Sequence, residues 1–161
     1  MTVREGERGD EVKWRFKALE NLVVLKFKLG QYDEMSTRYA EMLTHAQTVT
    51  RNECGDGVNA VLDALADPQS QCSDEIMRKM FAITFAALKS SSNERLWFNT
   101  YVKYGKACLN SKDFAQLSRV VNELHRSCQL PDGRDDPTKG TYLLEVYALE
   151  IQARFFCSAC T

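Results

Sequence analysis

Hydrophobic residues recur along most of this chain at intervals of three and four positions, the spacing of one face of an α-helix. The pattern begins near Asp10, and its first run ends just before Gly30. Gly30 is predicted to end the first helix, because glycine adopts a left-handed backbone conformation without a Cβ clash. The apolar positions of this first run are Trp14, Ala18, Leu22, Leu25 and Leu29.

A second helix is predicted to begin at Tyr32 and to run to about Val49. A third covers roughly residues 54–66. It is the weakest of the set, because Gly55 and Gly57 near its start disfavour helix formation. The other apolar positions of the second helix are Met35, Tyr39, Met42 and Ala46.

The fourth helix is predicted to begin at Ser73, whose hydroxyl suits a helix N-cap, and to reach about Lys89. Apolar residues form two stripes on this helix, so we expect neighbouring elements to cover it on two sides. One stripe comprises Ile76, Met80, Ile83 and Ala87, and the other Met77, Phe81, Phe85 and Leu88.

Three more helices are predicted in the remainder of the chain. The seventh begins after a polar loop, with Asp136 as its cap and Pro137 at its first position, where a missing N–H costs nothing. The apolar positions are Trp97, Tyr101, Tyr104 and Cys108 in the fifth helix, Phe114, Leu117, Val121, Leu124 and Cys128 in the sixth, and Leu144, Tyr147, Ile151 and Phe155 in the seventh.

These elements predict an all-α fold of about seven helices. Tyr32 and Phe114 each follow a tight turn and open a helix, and they stand 82 residues apart, which equals two steps of about 41. Ser73 marks the joint between the two steps. Helix-pair repeats have this period, so we predict a right-handed α-α superhelix of the tetratricopeptide type. An ordinary helical bundle with a chance period is the alternative.

Composition narrows the classes of partner. The net charge is −1, so the chain has no large positive field for nucleic acid or acidic lipid, and we expect neither nucleic acid nor membrane as a partner. No run of about 18 apolar residues occurs, so none is long enough to span a bilayer. The six cysteines are scattered, which indicates free thiols in a reducing compartment.

Few residues suggest catalysis or metal binding. His45 and His125 stand 80 residues apart, and no phosphate loop or hydrolase motif is present. Cys157 and Cys160 form a C-x-x-C pair, which is compatible with redox chemistry or half of a zinc site. His125 with Cys128 is the candidate for the other half. We predict that the chain is not an enzyme and that it holds no metal.

Several stretches of the sequence resemble the COP9 signalosome subunit 2 family, whose members carry a PCI region and are related to a proteasome-lid subunit. The resemblance covers about residues 4–153, and its blocks agree in order and spacing. The blocks are WRFKAL (14–19), KFKLGQYDEM (26–35), VTRN (49–52), NERLWF (93–98), ELHRSCQ (123–129) and GTYLLEVYALEIQ (140–152).

The resemblance implies a helical-repeat arm that assembles with other signalosome subunits. It also implies binding of the cullin and RING-box protein of cullin–RING ubiquitin ligases during removal of NEDD8, in nucleus and cytoplasm. A basic pocket for inositol hexakisphosphate is implied as well, and no other cofactor. Lys17 falls at a position that matches this pocket, and Arg38 and Arg51 match basic positions nearby. Lys13 is a further cation of this group.

The resemblance has two departures. The family's acidic N-terminal extension and its PCI winged-helix region have no counterpart here, so we expect a fragment, splice product or short form. We predict a flexible N-terminus over residues 1–9, a solenoid over 10–156 and a tail over 157–161. The alternatives are a proteasome-lid structural subunit, and a small zinc or thiol protein that uses Cys157 and Cys160.

Overall fold

The computed structural model describes residues 3–67, 69–70, 72–89 and 91–158, with side chains for 9–67, 69–70, 72–89 and 91–156. These residues form seven α-helices and a 3₁₀ turn at Pro137–Lys139, and they contain no strand beyond one isolated bridge between Gln129 and Asp135. The predicted all-α class is confirmed. The helices are α1 (Val3–Lys28), α2 (Tyr32–Thr44), α3 (Arg51–Ala66), α4 (Asp74–Lys89), α5 (Glu94–Asn110), α6 (Phe114–Ser127) and α7 (Gly140–Ser158).

One shifted helix boundary has a visible local cause: α3 begins at Arg51, although Gly55 and Gly57 predicted a start near residue 54. The reason is a capping box that the glycines obscured. The Thr50 hydroxyl accepts from the Glu53 amide at 3.2 Å, and the Glu53 carboxylate accepts from the Thr50 amide at 3.1 Å. This exchange satisfies two otherwise unpaired donors and sets the first turn of the helix. Two other boundaries move further: α1 begins at Val3 where a start near Asp10 was predicted, and α2 ends at Thr44 where an end near Val49 was predicted.

The described residues fall into two compact units, Met1–Glu94 and Arg95–Thr161. In the first unit α1 contacts α2 and α3, and α4 contacts α2 and α3. If α1 and α2 form one pair and α3 and α4 the next, the first helices of the two pairs (α1 and α3) contact each other, and so do the second helices (α2 and α4). This is the arrangement of stacked helix-pair repeats. The extension of this pattern into a superhelix along the whole chain stays a prediction.

A buried hydrogen bond joins the two second helices of the first unit. The hydroxyls of Tyr39 in α2 and Thr84 in α4 are 2.8 Å apart, and both residues are fully buried. Thr84 gives its proton to the Met80 carbonyl at 2.8 Å, so Tyr39 is the donor to Thr84. Burial also raises the pKa of Tyr39, which keeps the phenol neutral.

The repeat is also visible in the backbone of two turns. Gly30 has a φ of 70° and Lys112 a φ of 59°, and each stands two residues before the aromatic that opens the next helix. In both turns the following amide reaches back five residues, as in a Schellman motif. These hydrogen bonds run from the Gln31 amide to the Lys26 carbonyl (3.0 Å) and from the Asp113 amide to the Cys108 carbonyl (2.9 Å).

The second unit packs α7 against α5 and α6. Gly105 allows a close approach, because a Cβ at this position would lie 2.5 Å from a methyl carbon of Leu149. The rings of Phe98 in α5 and Tyr142 in α7 stack with centroids 4.2 Å apart. In the same unit α6 contacts α7.

Two predicted core stripes are wrong, one on α1 and one on α7. Trp14 is 71% exposed, and Phe155 is 73% exposed. Both helices carry apolar residues on more than one face, and helical periodicity alone cannot tell which face meets the core. The buried residues are instead Phe16, Leu19 and Val23 in α1, and Leu143, Val146 and Leu149 in α7.

Candidate cation sites in the first unit

The three predicted site residues all lie in the first unit, each on a different helix. Lys17 stands in the middle of α1, Arg38 in the middle of α2, and Arg51 is the first residue of α3. All three side chains are accessible to solvent. Their surroundings differ.

Lys17 is held by a buried carboxylate. Its ammonium donates to Glu20 at 2.7 Å, with Lys17 57% exposed and the Glu20 side chain only 8% exposed. Glu20 is buried because α3 crosses α1 at Gly57, whose lack of a Cβ leaves room for the carboxylate and for Phe16. Since a buried carboxylate without a partner is costly, Lys17 stabilises Glu20 as well as facing solvent.

The cavity beside Lys17, of about 290 Å³, lies between α1 and α3. Among the described side chains, its charged lining consists of two lysines, Lys13 and Lys17, and three carboxylates, and Trp14 also lines it. Lys13 reaches across to Glu53 at 2.6 Å and ties the two helices together. The surrounding carboxylates therefore offset much of the positive charge that a polyanion site needs. They are Glu20, Glu53 and Asp56.

Glu53 has two roles, as the capping-box acid of α3 and as the partner of Lys13. The hydrogen bond from Lys13, followed by those from the Thr50 amide and hydroxyl, lowers the pKa of Glu53 from 4.5 to about 2. The same contact raises the pKa of Lys13. Both shifts favour the charged forms, so the ion pair persists at neutral pH.

This pair should give the first unit a pH-dependent stability. Because the folded-state pKa of Glu53 is lowered, its contribution is present above about pH 4.5 and is lost as the pH falls towards 2. Glu53→Gln keeps an acceptor for the Thr50 amide but removes the charge. We expect the urea midpoint of the wild-type chain to exceed that of the variant at pH 7, and the gap to shrink between pH 5 and pH 2.5. Glu145→Gln on α7 is the control, and a gap that stays constant with pH would contradict the assignment.

Arg38 lies on the outer surface of α2. Its guanidinium donates to Glu41 one turn later at 2.8 Å, and neither side chain is buried. Pairs of this kind contribute little to stability, because water screens them. Arg38 lines neither of the two cavities described for the first unit.

Arg51 borders a larger groove of about 850 Å³. The groove lies between the C-terminal ends of α2 and α4, the start of α3 and the segment after α4. The Arg51 guanidinium donates a long hydrogen bond of 3.4 Å to the Ser92 hydroxyl. Val49 lines both this groove and the cavity of Lys17, so the two are neighbours.

Lys17 and Arg51 are thus placed in adjoining but separate cavities, with Arg38 outside both. The role of the three residues as an inositol-phosphate or partner site stays a prediction. Two residues that shape the site, Glu20 and Glu53, were not predicted from the sequence, because a pattern of cations does not show which carboxylates the cations will face. Their positions, three residues after Lys17 and after Thr50, were the available sequence signal.

The residues considered for metal chemistry lie in the second unit. His125 Nε2 is 3.4 Å from an Asp135 carboxylate oxygen, and its ring meets Tyr147 edge-on at 5.3 Å. Among the described residues no group of three or more metal-ligating side chains comes together. Cys160 and the side chain of Cys157 lie outside the described part, so the zinc and thiol hypothesis stays untested. No helix in the described ranges is long and apolar enough to cross a membrane.

Comparisons with known proteins give the chain a family. No protein-family model matches it. COP9 signalosome complex subunit 2 of Drosophila melanogaster is 41% identical over 147 residues, which cover 91% of this chain and 32% of that protein. The protein of the same name from Emericella nidulans is 41% identical, over 92% of this chain and 29% of that protein. The one from Caenorhabditis elegans is 37% identical, over 92% of this chain and 29% of that protein. This chain spans about a third of the length of these relatives. Over the residues that it shares with them, the chain belongs to the COP9 signalosome subunit 2 family.

Proposed function

We propose that this chain is a non-catalytic helical scaffold of the COP9 signalosome that holds cullin–RING ubiquitin ligases while NEDD8 is removed from the cullin. The observation that carries the proposal is the 41% identity to signalosome subunit 2 over nine tenths of the chain. Helix pairs with accessible outer faces supply the binding surface. The partners would be other signalosome subunits, the cullin and its RING-box protein, in nucleus and cytoplasm.

Co-purification tests the scaffold role. We expect the tagged chain, expressed in cells, to retain cullins, the RING-box protein and signalosome subunits, as identified by mass spectrometry. A tagged unrelated helical protein of similar size is the control. Recovery of proteasome-lid subunits in place of signalosome subunits, or of neither group, would reject the proposal.

A second part of the proposal is that the Lys13 and Lys17 face of α1 contributes to binding inositol hexakisphosphate. Lys13 and Lys17 stand one helical turn apart on α1, and each ammonium pairs with one carboxylate, that of Glu53 or Glu20. An ammonium has three donors, and each anchor uses one, so donors remain for phosphate oxygens. Both lysine side chains are more than half exposed, which leaves them accessible to a ligand.

Calorimetry with inositol hexakisphosphate tests this part. Lys17→Gln should weaken binding about tenfold, since charge-assisted hydrogen bonds contribute roughly 1.5–3 kcal/mol. Glu20→Gln should strengthen it several-fold, because it removes the competing negative charge. Lys106→Gln, an exposed lysine of α5, is the control for net charge. Equal losses for Lys17→Gln and Lys106→Gln would show that only overall charge matters.

A further inference from the structure

The groove beside Arg51 has no carboxylate among its described lining residues, whereas Lys13, Lys17 and Arg38 each lie beside one. Of the residues that the structure describes, fifteen line it, and Arg51 is the single charged one among these. Lys13, Lys17 and Arg38 each pair with a carboxylate, whereas Arg51 forms no ion pair within the described part of the chain. Its hydrogen bond to Ser92 is long, at 3.4 Å. The guanidinium therefore has most of its donors available for an acceptor from outside.

The rest of the groove suits short apolar side chains of a ligand. Four alanines line it, and their small side chains leave room beside α2 and α4. Its volume of about 850 Å³ lies in the range of ligand-binding clefts. Hydroxyl and amide groups on the segment after α4 provide a polar edge, at Ser91, Ser92 and Asn93. The alanines are Ala40, Ala46, Ala86 and Ala87.

The walls of the groove are held in place by the core beneath them. The hydrogen bond between fully buried Tyr39 and Thr84 joins α2 to α4, and their chain neighbours Ala40 and Ile83 line the groove. Leu43 and Leu88 line the groove and are themselves almost completely buried. A preformed cleft of this kind binds without first paying the entropy of ordering its walls.

We propose that this groove binds a peptide segment of a partner protein in which one aspartate or glutamate stands among apolar residues. The carboxylate would form a bidentate pair with Arg51, and the apolar side chains would occupy the alanine-lined part. A single cation selects a single acidic residue, which distinguishes this segment from a polyanion. The inference builds on the proposed scaffold role and adds the chemistry of one partner segment, at a site separate from Lys17.

Three fluorescein-labelled dodecapeptides of alanine, leucine and serine test the groove, with glutamate, glutamine or lysine at their centre. Fluorescence anisotropy should show the glutamate peptide binding the full chain about tenfold more tightly than the glutamine peptide, and the lysine peptide most weakly. Arg51→Glu should reverse the order of the glutamate and lysine peptides. This variant is expected to fold, because an acidic residue is favourable in the first turn of α3. Circular dichroism checks its helix content.

A pair of matched variants tests whether the alanine-lined part is occupied. Ala86→Phe fills the groove and should abolish binding of the glutamate peptide. Ala82→Phe, on an exposed residue one turn earlier in α4 that is not among the groove's lining residues, should leave binding unchanged.

Equal binding of the three peptides, or an order that Arg51→Glu does not reverse, would overturn the inference, as would full binding by Ala86→Phe. The proposed function fails in a different assay. If the peptide binds as expected but cullins and signalosome subunits are not recovered from cells, the scaffold role fails and the groove remains. If those partners are recovered but the peptide does not bind, the groove inference fails and the scaffold role remains.

Discussion

Replacing Gly57 by alanine is expected to lower the free energy of unfolding of the first unit by about 1–3 kcal/mol, the usual cost of overfilling a packed core. A Cβ at Gly57 would lie 2.6 Å from one ring carbon of Phe16 and 3.0 Å from the next. Phe16 is 3% exposed, so its ring has little space to move. The Glu20 carboxylate, 3.3 Å away, would be displaced as well. A larger residue such as leucine should have a greater effect.

The sign of this effect makes the test informative. In a helix interior alanine is normally better than glycine by about 1 kcal/mol, so a net loss at Gly57 requires the packing cost to exceed that gain. Gly140→Ala in the first turn of α7 is the matched control, because nothing lies within 4 Å of its added Cβ. We expect the control to be neutral or stabilising by up to about 1 kcal/mol.

Urea denaturation followed by circular dichroism measures both variants, and hydrogen exchange locates the effect. The loss of protection in Gly57→Ala should be concentrated in α1 and α3, with α5 and α6 unchanged. If Gly57→Ala is as stable as Gly140→Ala, the close approach of α1 and α3 at this residue is contradicted.

The second large effect is expected at the buried hydroxyl pair of α2 and α4. Thr84→Val preserves the shape of the side chain but leaves the Tyr39 hydroxyl in the core without its acceptor. We expect a loss of about 1–3 kcal/mol, the cost of a buried unpaired polar group. Tyr39→Phe should cost less, roughly 1 kcal/mol, because the Thr84 hydroxyl still donates to the Met80 carbonyl.

A double-mutant cycle separates this explanation from a simple packing defect. With both hydroxyls removed, no buried polar group is left unpaired, so the double variant should be more stable than Thr84→Val alone. Losses that merely add would show that the two hydroxyls do not depend on each other. Equilibrium urea titrations of the three variants and the wild type provide the four free energies.

The predicted binding of a ligand by Lys17 depends on the packing of α1 against α3 at Gly57. Gly57 permits α3 to lie against α1, and this contact buries Glu20 beneath Lys17. Gly57→Ala should therefore disturb the position of Lys17 as well as stability. Variants used for ligand binding are better placed at Lys17 and Glu20 themselves, where the backbone contact between the helices remains.

Several features were predictable from sequence because they depend on neighbours along the chain. The turn at Gly30 depends on a backbone conformation that glycine adopts cheaply, and the next helix begins at Tyr32 as predicted. The repeat period follows in the same way: α2, α4 and α6 begin at Tyr32, Asp74 and Phe114, steps of 42 and 40 residues. The family was recognisable too, since its blocks are continuous in sequence.

The sequence by itself thus determined the all-α class, most helix starts, the repeat period and the family, because these depend on short-range spacing. Only the tertiary structure decided which faces of α1 and α7 are buried, since both helices offer apolar residues on more than one face. It also decided that Glu20 holds Lys17 and that Arg51 lies in a separate groove. Such contacts depend on how helices cross, and a crossing brings together residues whose distance along the chain does not reveal their distance in space.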